Sequence, residues 1–504
     1  MAGAEAFLAQ VSTRFPDRIR RTDADRLAYA RDMWPLGLLW ARGGRVPTPP
    51  DAVIWPRSEA DLVELVQLAR KHRVPLIPFG AGSGVCGGTW ATQGGVAIDL
   101  KGFDDLMPVD RKRRTVEVGA GVLGEVLERR LNAQGFTLGH FPSSIYMSTV
   151  GGWLAARSAG QLSSRYGKIE DMVLAARFID GRGAVRELAV PHGTGIDEVA
   201  LLIGSEGCFG FFTRATLRVH PMTPARAFRG FEFARVVDGL EAMRRMMQAG
   251  LRPSVARLYD PFDTWMNGRH SAGPHAKVAP SLQSIAKRQL RTGLLRGFAK
   301  FGISQSRMLN ASAEVLKKSL LVLMFEGEAD QACADEEAAR AICLDMGGTD
   351  LGPGPGERWL KKRYDVSFKM SMAIDSAAVA DTMEVAAPWT RVHAIYEAVK
   401  AAAAPHAFVM CHFSHAYAEG CSLYFTFVAS TPSSADLEER YLSLWRAALA
   451  AAVGQGATVS HHHGIGLLKA KVYAQSLGDG FDAVRALKAQ YDPDGIMNPG
   501  KLGL

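Results

Sequence analysis

The chain has 504 residues, 47% of them hydrophobic, and a formal charge of +8 from 59 Lys and Arg against 51 Asp and Glu. That length and apolar content exclude a disordered chain and exceed one ordinary domain, so two or three are expected. The positive balance leans toward anionic partners, but paired zinc-ligand spacing, an RNP-like aromatic run and a basic arm are all missing, so no nucleic-acid partner is expected.

Cys86, Cys208, Cys333, Cys343, Cys411 and Cys421 are scattered without C-x-x-C spacing, the pattern of reduced thiols. No segment joins a basic leader to a long apolar core or reaches the length of a bilayer span, and the expectation is a cytoplasmic protein. Residues 1–49 are expected to form an N-terminal helical segment. Ser58 opens a helix, with Asp61 completing part of a capping box and Leu62, Leu65, Val66 and Ala69 on one face. Val74 to Phe79 reads as a strand delivering the chain into GAGSGVCGG, after which VAIDL and TVEVGA alternate as strands and VLGEVLERRLNAQ forms a helix stopped by Gly135. VLAARFIDGRGAVREL reads as two strands about a Gly-containing turn, and FFTRATLRVHP closes an α+β domain over 50–222.

Pro221 to Pro224 marks a boundary. Strand FRGFEFA, helix LEAMRRMMQ, strand SVARLYD and strand LLVLMFEG then open a second domain over 223–458, in which HAFVMCHF, CSLYFTFVA and a helix near LEERYLSLWRAALAAAV repeat the arrangement around an antiparallel sheet. Residues 459–504 are too few for a domain and are expected to pack back on the others. KRQLRTGLLRGFAKF, within 287–301, sets Leu290, Leu294, Leu295 and Phe298 opposite Arg291, Arg296 and Lys300. An ordinary surface helix is the favoured reading, and peripheral contact with a membrane is the other.

Gly82, Gly84 and Gly87 satisfy G-x-G-x-x-G after a strand, but the loop leads into the next strand, not into a helix, which refuses a Rossmann site. Successive glycines still permit positive φ and convergence of backbone N–H groups on a diphosphate; a ligand-free turn is the alternative. The segment GHFPSSIYMSTVGGWLAARSAGQLSSRYGKIEDMV adds Ser143, Ser144, Ser148 and Thr149 before Gly151 and Gly152, an inventory of donors for ribityl and phosphate oxygens.

With PFGAGSG, GSEGCFGFF and the terminal YDPDGIMNPGKL, this pattern resembles the vanillyl-alcohol-oxidase type of flavoprotein from roughly residue 50 onward. The resemblance implies an α+β fold: a two-part FAD-binding domain followed by an α+β cap domain with an antiparallel sheet, and a C-terminal segment returning to the flavin site. The cofactor-binding residues it implies are Pro78, Phe79, Gly80, Ala81, Gly82, Ser83 and Gly84; Pro142, Ser143, Ser144, Ser148, Thr149, Gly151 and Gly152; Arg157, Ser158 and Ile169; and Glu206, Gly207, Gly210, Phe211 and Phe212. No histidine occupies the glycine loop, where related oxidases attach flavin covalently, so noncovalent FAD is expected.

Within that superfamily STVGGW, IEDMV, SVARLYD, LMFEGE, AAPW, SHAYAEGCSLYF and SHHHGIG are similar to alkylglycerone-phosphate synthase. His461, His462 and His463 read alone as proton-moving or as satisfied structural groups, and no metal is expected because no partner at metal-like spacing accompanies them. The resemblance places the triplet in the active site. It matches Tyr417, alone a packed aromatic, to a tyrosine that exchanges a proton with substrate, and Arg257, alone a strand residue that either points to solvent or faces a polar site, to an arginine important for activity. His412 and His415 also read as H-x-x-H, too few ligands for a site. Where the family carries an arginine for the substrate phosphate, the chain has Ser367-Phe368-Lys369-Met370-Ser371, leaving Lys369 as a displaced point charge, with Lys361, Lys362 and Arg363 upstream.

The resemblance implies exchange of the acyl group of acyl-dihydroxyacetone phosphate for a fatty alcohol, in ether-lipid synthesis, without net redox of the flavin. The alternative is an FAD-linked 2-hydroxy acid or alcohol dehydrogenase or oxidase, against which stands HFSHAYAEG in place of the metal motif of D-lactate dehydrogenase relatives. A noncatalytic flavin-binding scaffold is the third reading. The expected partner is a small-molecule or lipid substrate, and a homodimer is left open.

Overall fold

A computed structural model describes residues 2–46, 48–191, 194–268, 310, 316–365, 378–431 and 434–504. The chain divides into two compact units, the first formed by Met1–Met222 with Val459–Leu504 and the second by Thr223–Thr458.

The first unit carries two four-stranded sheets and a two-stranded pair. Strands β1 (Ile19–Arg20), β2 (Ala52–Ile54), β3 (Leu76–Phe79) and β4 (Val96–Asp99) assemble in the order β1-β2-β4-β3, with β4 parallel to both neighbours. This central place buries all four residues of β4, so the run read as alternating is buried on both faces, Asp99 included. The helix Glu59–His72 has the complete Ser58–Asp61 capping box, and its Leu62, Leu65, Val66 and Ala69 pack with Phe7, Leu8 and Val11 of the helix Ala2–Arg14. The second sheet combines β5 (Thr115–Gly119), β7 (Val173–Asp180), β8 (Val185–Ala189) and β9 (Gly210–Arg218) in the order β5-β9-β7-β8; β6 (Phe136–Thr137) pairs with β10 (His220–Pro221).

Residues 459–504 belong wholly to this first unit. Their end runs beside β3: Leu76 N donates to Ile496 O at 2.8 Å and Asn498 N to Leu76 O at 2.9 Å.

The second unit is built on an antiparallel sheet of β11 (Ala225–Phe233), β12 (Val255–Tyr259), β13 (Ser319–Gly327), β14 (Thr349–Asp350), β15 (Ala378–Pro388), β16 (Phe408–Ser414) and β17 (Gly420–Ser430), ordered β14-β11-β13-β12-β16-β17-β15. Strand side chains alternate between faces, and the register sorts them. The cross-strand row Phe231, Leu321, Leu258, Phe413, Leu423, Val385 is apolar and fully buried, on the face that takes the helices Val236–Gln248 and Trp389–Ala403. A row on the opposite face reads Tyr259, His412, Tyr424, Glu384.

β15 was not recognised in the sequence, because Asp381, Thr382 and Glu384 interrupt its apolar pattern. The structure resolves the conflict for Asp381, whose buried Oδ2 accepts from Tyr441 Oη at 2.6 Å and Trp445 Nε1 at 2.8 Å.

Candidate active site

In the first unit the glycine loop divides into a held half and an open half. Asp32, fully buried, accepts from Gly87 N at 2.9 Å, Gly88 N at 3.0 Å, Trp34 N at 3.1 Å and Trp90 Nε1 at 3.3 Å. Burial pushes this carboxyl up to about 6 despite those donors. Lys501 Nζ donates to Trp90 O, Asn498 Nδ2 to Gly88 O at 2.9 Å, and Lys101 Nζ to Gly80 O at 2.9 Å.

The N–H groups of Ala81, Gly82, Ser83 and Gly84 make no hydrogen bond among the described residues. Gly82 has φ of +65°, and a Cβ there would meet the Phe79 ring at 2.7 Å. A Cβ on Gly80 would lie 2.5 Å from Thr149 Oγ1. Beside the loop the hydroxyls of Thr89 and Ser205 are buried without a partner. Free backbone donors, a cradle that admits no side chain and orphaned hydroxyls fit the diphosphate and polyol of a dinucleotide.

Other residues matched to cofactor binding have visible duties in the scaffold. Ser148 Oγ accepts from Trp153 Nε1 at 2.8 Å, and Thr149 caps the next helix by accepting from Gly152 N at 3.2 Å. Gly151 admits no Cβ against Ala120, Pro78 fills the space over Gly207, and Phe79 packs on Tyr29. Ser158 bonds His140 Nε2 at 2.8 Å, and burial lowers that imidazole to about 3. Ile169 and Phe211 are fully buried, Phe212 meets the Phe178 ring edge-on, and Gly210 (φ +155°) seats close to Ile179 O. Arg157, half-exposed, lies 3.6 Å from Glu170, while Pro142 is buried and Ser143 and Ser144 lie toward the surface.

Glu206 does something the sequence did not disclose. Its carboxylate accepts from Ile465 N and, at 2.7 Å, from Gly466 N, in the turn directly after the histidine triplet. Gly464 (φ +81°) presses against Glu206 Oε1, and Gly466 (φ +54°) leaves no room for a side chain against Cys86 O, which also accepts from Leu467 N at 2.9 Å. Burial raises the Glu206 carboxyl to about 7, against the lowering effect of the two N–H groups and Lys469. Buried Lys469 Nζ donates to Ser460 Oγ at 3.0 Å, closing the segment from its other end. Between these ties His461 Nδ1 and His462 Nδ1 stand 3.0 Å apart, with the His462 and His463 rings 4.6 Å apart. The triplet lies on bends, clamped from both sides.

In the second unit the polar row of the sheet gathers around Arg257. Its Nη2 lies 2.6 Å from His412 Nε2, and its guanidinium sits over the Tyr259 ring at 5.3 Å. His412 stacks on Tyr424 with centroids 4.6 Å apart, and its Nδ1 is 3.5 Å from Asp263 Oδ2. Burial and the neighbouring Arg257 push the His412 imidazole well below its ordinary range, so Nε2 accepts and Nδ1 carries the proton. His412, read in the sequence as half of an H-x-x-H too small for a site, has Arg257 as its hydrogen-bond partner. Tyr417 lies in the β16–β17 connection, half-buried; its N–H donates to Gly420 O at 2.8 Å and its carbonyl accepts from Trp389 Nε1 at 3.1 Å. Lys361 and Lys362 are exposed and Arg363 is half-buried. Lys369 and the 287–301 segment lie outside the described residues.

Asp32, Lys101, Lys469, Asn498, Lys501 and Asp263 were missed by sequence reasoning. Each is a lone polar residue whose role comes from a partner outside its own local motif, for all but Lys469 one distant in the chain, and only the buried lysines near glycine turns leave a faint trace.

Two family comparisons match: FAD linked oxidases, C-terminal domain, over residues 223–502, and FAD binding domain over residues 50–189. The alkyldihydroxyacetonephosphate synthase of Trypanosoma brucei brucei is 32% identical over 504 residues, covering 96% of this chain and 78% of the relative. A glycolate oxidase subunit of Bacillus subtilis (strain 168) is 25% identical over 98% of this chain and 95% of its own length. A solved alkyldihydroxyacetonephosphate synthase superposes with a TM-score of 0.77 at 26% identity, covering 99% of this chain and 85% of that one. With free loop donors, an α+β FAD-binding unit and an antiparallel second unit in hand, the chain belongs to the FAD-linked oxidase family of vanillyl-alcohol-oxidase type flavoproteins, and is an FAD-dependent enzyme.

Proposed function

We propose that the enzyme is an alkyldihydroxyacetonephosphate synthase-like transferase, exchanging the acyl group of acyl-dihydroxyacetone phosphate for a fatty alcohol. The observation that carries this reading is the relative from Trypanosoma brucei brucei, 32% identical across 96% of the chain, so that both units are matched, not the flavin domain alone.

The open half of the glycine loop, Ala81 to Gly84, would hold the FAD pyrophosphate without a covalent link. Bound FAD supplies a ring able to accept an electron pair from a substrate carbon. The residues of the chain do the rest. Tyr417 Oη, in the second unit, is the candidate to take and return the proton on the substrate carbon that changes its oxygen substituent. In the first unit His461, His462 and His463, fixed by Glu206 and Lys469, are candidate proton carriers for the departing fatty acid and the entering alcohol. Arg257 supplies positive charge to an anionic part of the substrate. The exchange releases a carboxylate and a proton and leaves no net oxidation.

A second reading, an FAD-linked dehydrogenase or oxidase of a 2-hydroxy acid or alcohol, is kept by the absence of arginine from residues 367–371 and by the glycolate oxidase subunit among the relatives. Anaerobic mixing separates the two. Acyl-dihydroxyacetone phosphate with a fatty alcohol should yield ether product while the flavin stays oxidised at the end of turnover. Lasting bleaching of the flavin by a hydroxy acid, with no ether product from the lipid pair, would overturn the transferase reading.

A further inference from the structure

Arg257 is a cation whose nearest partner is neutral, the His412 imidazole. Among the described residues it has no ion pair with a carboxylate, and its Nε–H is buried without a hydrogen-bond partner. A guanidinium keeps its charge at any ordinary pH, so this donor cannot be relieved by losing a proton. Leaving it unmet carries the full cost of desolvating a charged donor, and stable proteins rarely retain such a donor away from a ligand.

The surroundings fix how the group is held. Arg257 sits on the central strand β12, flanked by β13 and β16, on the face opposite the helices. Across the register, Tyr259 stands opposite His412 and His412 opposite Tyr424, so the imidazole is enclosed by two aromatic rings. Asp263 lies behind its Nδ1. This leaves Nε2 as the acceptor for Arg257 Nη2 at 2.6 Å, which fixes the guanidinium plane. A carboxylate in place of the imidazole would neutralise the arginine; a neutral acceptor orients it and leaves its charge available.

We propose that Arg257 is an anion-binding residue, its Nε–H directed at a phosphate or carboxylate oxygen of the substrate, and that His412 is the positioning residue that holds it. This rests on the reading of the protein as an enzyme of an anionic substrate, and it supplies a cation for that anion other than Lys369. It applies to the phosphate of an acyl-dihydroxyacetone phosphate and to the carboxylate of a hydroxy acid alike.

The test is calorimetric titration of the FAD-loaded protein with dihydroxyacetone phosphate, with glycolate, and with uncharged dihydroxyacetone as a control. Wild type should bind at least one of the two anions and not the control. Arg257→Gln should remove that binding at unchanged flavin content. His412→Leu should weaken it about tenfold, while His412→Gln, which restores a neutral acceptor, should return it to within about threefold. Wild-type affinity in Arg257→Gln, or no anion binding by wild type, overturns the proposal. His412→Gln as impaired as His412→Leu overturns the positioning role, and if His412→Leu fails to fold, Arg257→Gln and His412→Gln decide. Binding of glycolate alone through Arg257 sustains the anion site while refuting the transferase reading; phosphate binding through Arg257 without ether product separates them in the same way.

Discussion

The carboxylate of Glu206 ties down the turn that follows the histidine triplet, and its raised pKa makes that tie pH-dependent. In the folded protein the group titrates near 7, against an ordinary value of 4.5, so between those values the native state binds more protons than the unfolded chain. Stability from this group is therefore present in full below about pH 4.5 and is lost as pH rises through 7. Wild type should lose thermal stability relative to Glu206→Gln over that window, in melting curves taken at matched ionic strength; parallel curves would refute the assignment. Tyr417→Phe removes only a hydroxyl from a half-buried ring, so it should keep flavin and fold while turnover of the lipid pair falls about 10²-fold or more. Retention of full turnover would favour the noncatalytic reading. At this scale the legibility of the sequence was uneven. His461 to His463 and Tyr417 stood out by pattern and resemblance, whereas the hold of Glu206 on the Ile465–Gly466 turn had no signal in the sequence, because a motif does not reveal a partner some 260 positions later.

Elements were easier to read where local pattern and tertiary place agree. The helix at 59–72 carries its own cap and an apolar face, and the β7–β8 turn carries its own glycines. β15 escaped because its buried Asp381 is satisfied by Tyr441 and Trp445 of a helix more than fifty residues away. The glycine loop was legible as a candidate phosphate cradle, but not its division. Only geometry shows that Asp32 occupies the N–H groups of Gly87 and Gly88 while those of residues 81–84 remain open. The division makes opposite predictions for two glycines. Gly82→Ala places a methyl group against the Phe79 ring at positive φ in the open half, and should lower flavin retention more than it lowers the melting temperature of flavin-free protein. Gly466→Ala drives a Cβ into the backbone carbonyl of Cys86, and should cost about 2 kcal/mol or more of stability in denaturant titration and displace the histidines with it.

At the scale of the molecule, the second unit is one continuous stretch, whereas the first is assembled from two stretches separated by 223–458. The returning stretch supplies Lys501 and Asn498 to the glycine loop and Leu467 to Cys86 O. A chain stopped after Thr458 should therefore fail to retain FAD, as read from the ratio of flavin to protein absorbance after gel filtration. Stoichiometric flavin in that truncated protein would show that the loop stands without its later supports. Both units and their boundary near Pro221 to Pro224 could be anticipated from the change in pattern; the closure of the first unit by distant residues could not, since it depends on contacts that have no local signature.

The clamp of Lys501 on Trp90 has a consequence in time. On the ribosome the loop emerges before the second unit, yet this bracing contact forms only once the whole second unit has been translated and Lys501 has left the exit tunnel. If the loop holds the cofactor, its capture would wait for translation past the second unit: a nascent chain that stalls within that unit would carry an unbraced loop, and yellow protein in the cell would be a record of chains that had passed it.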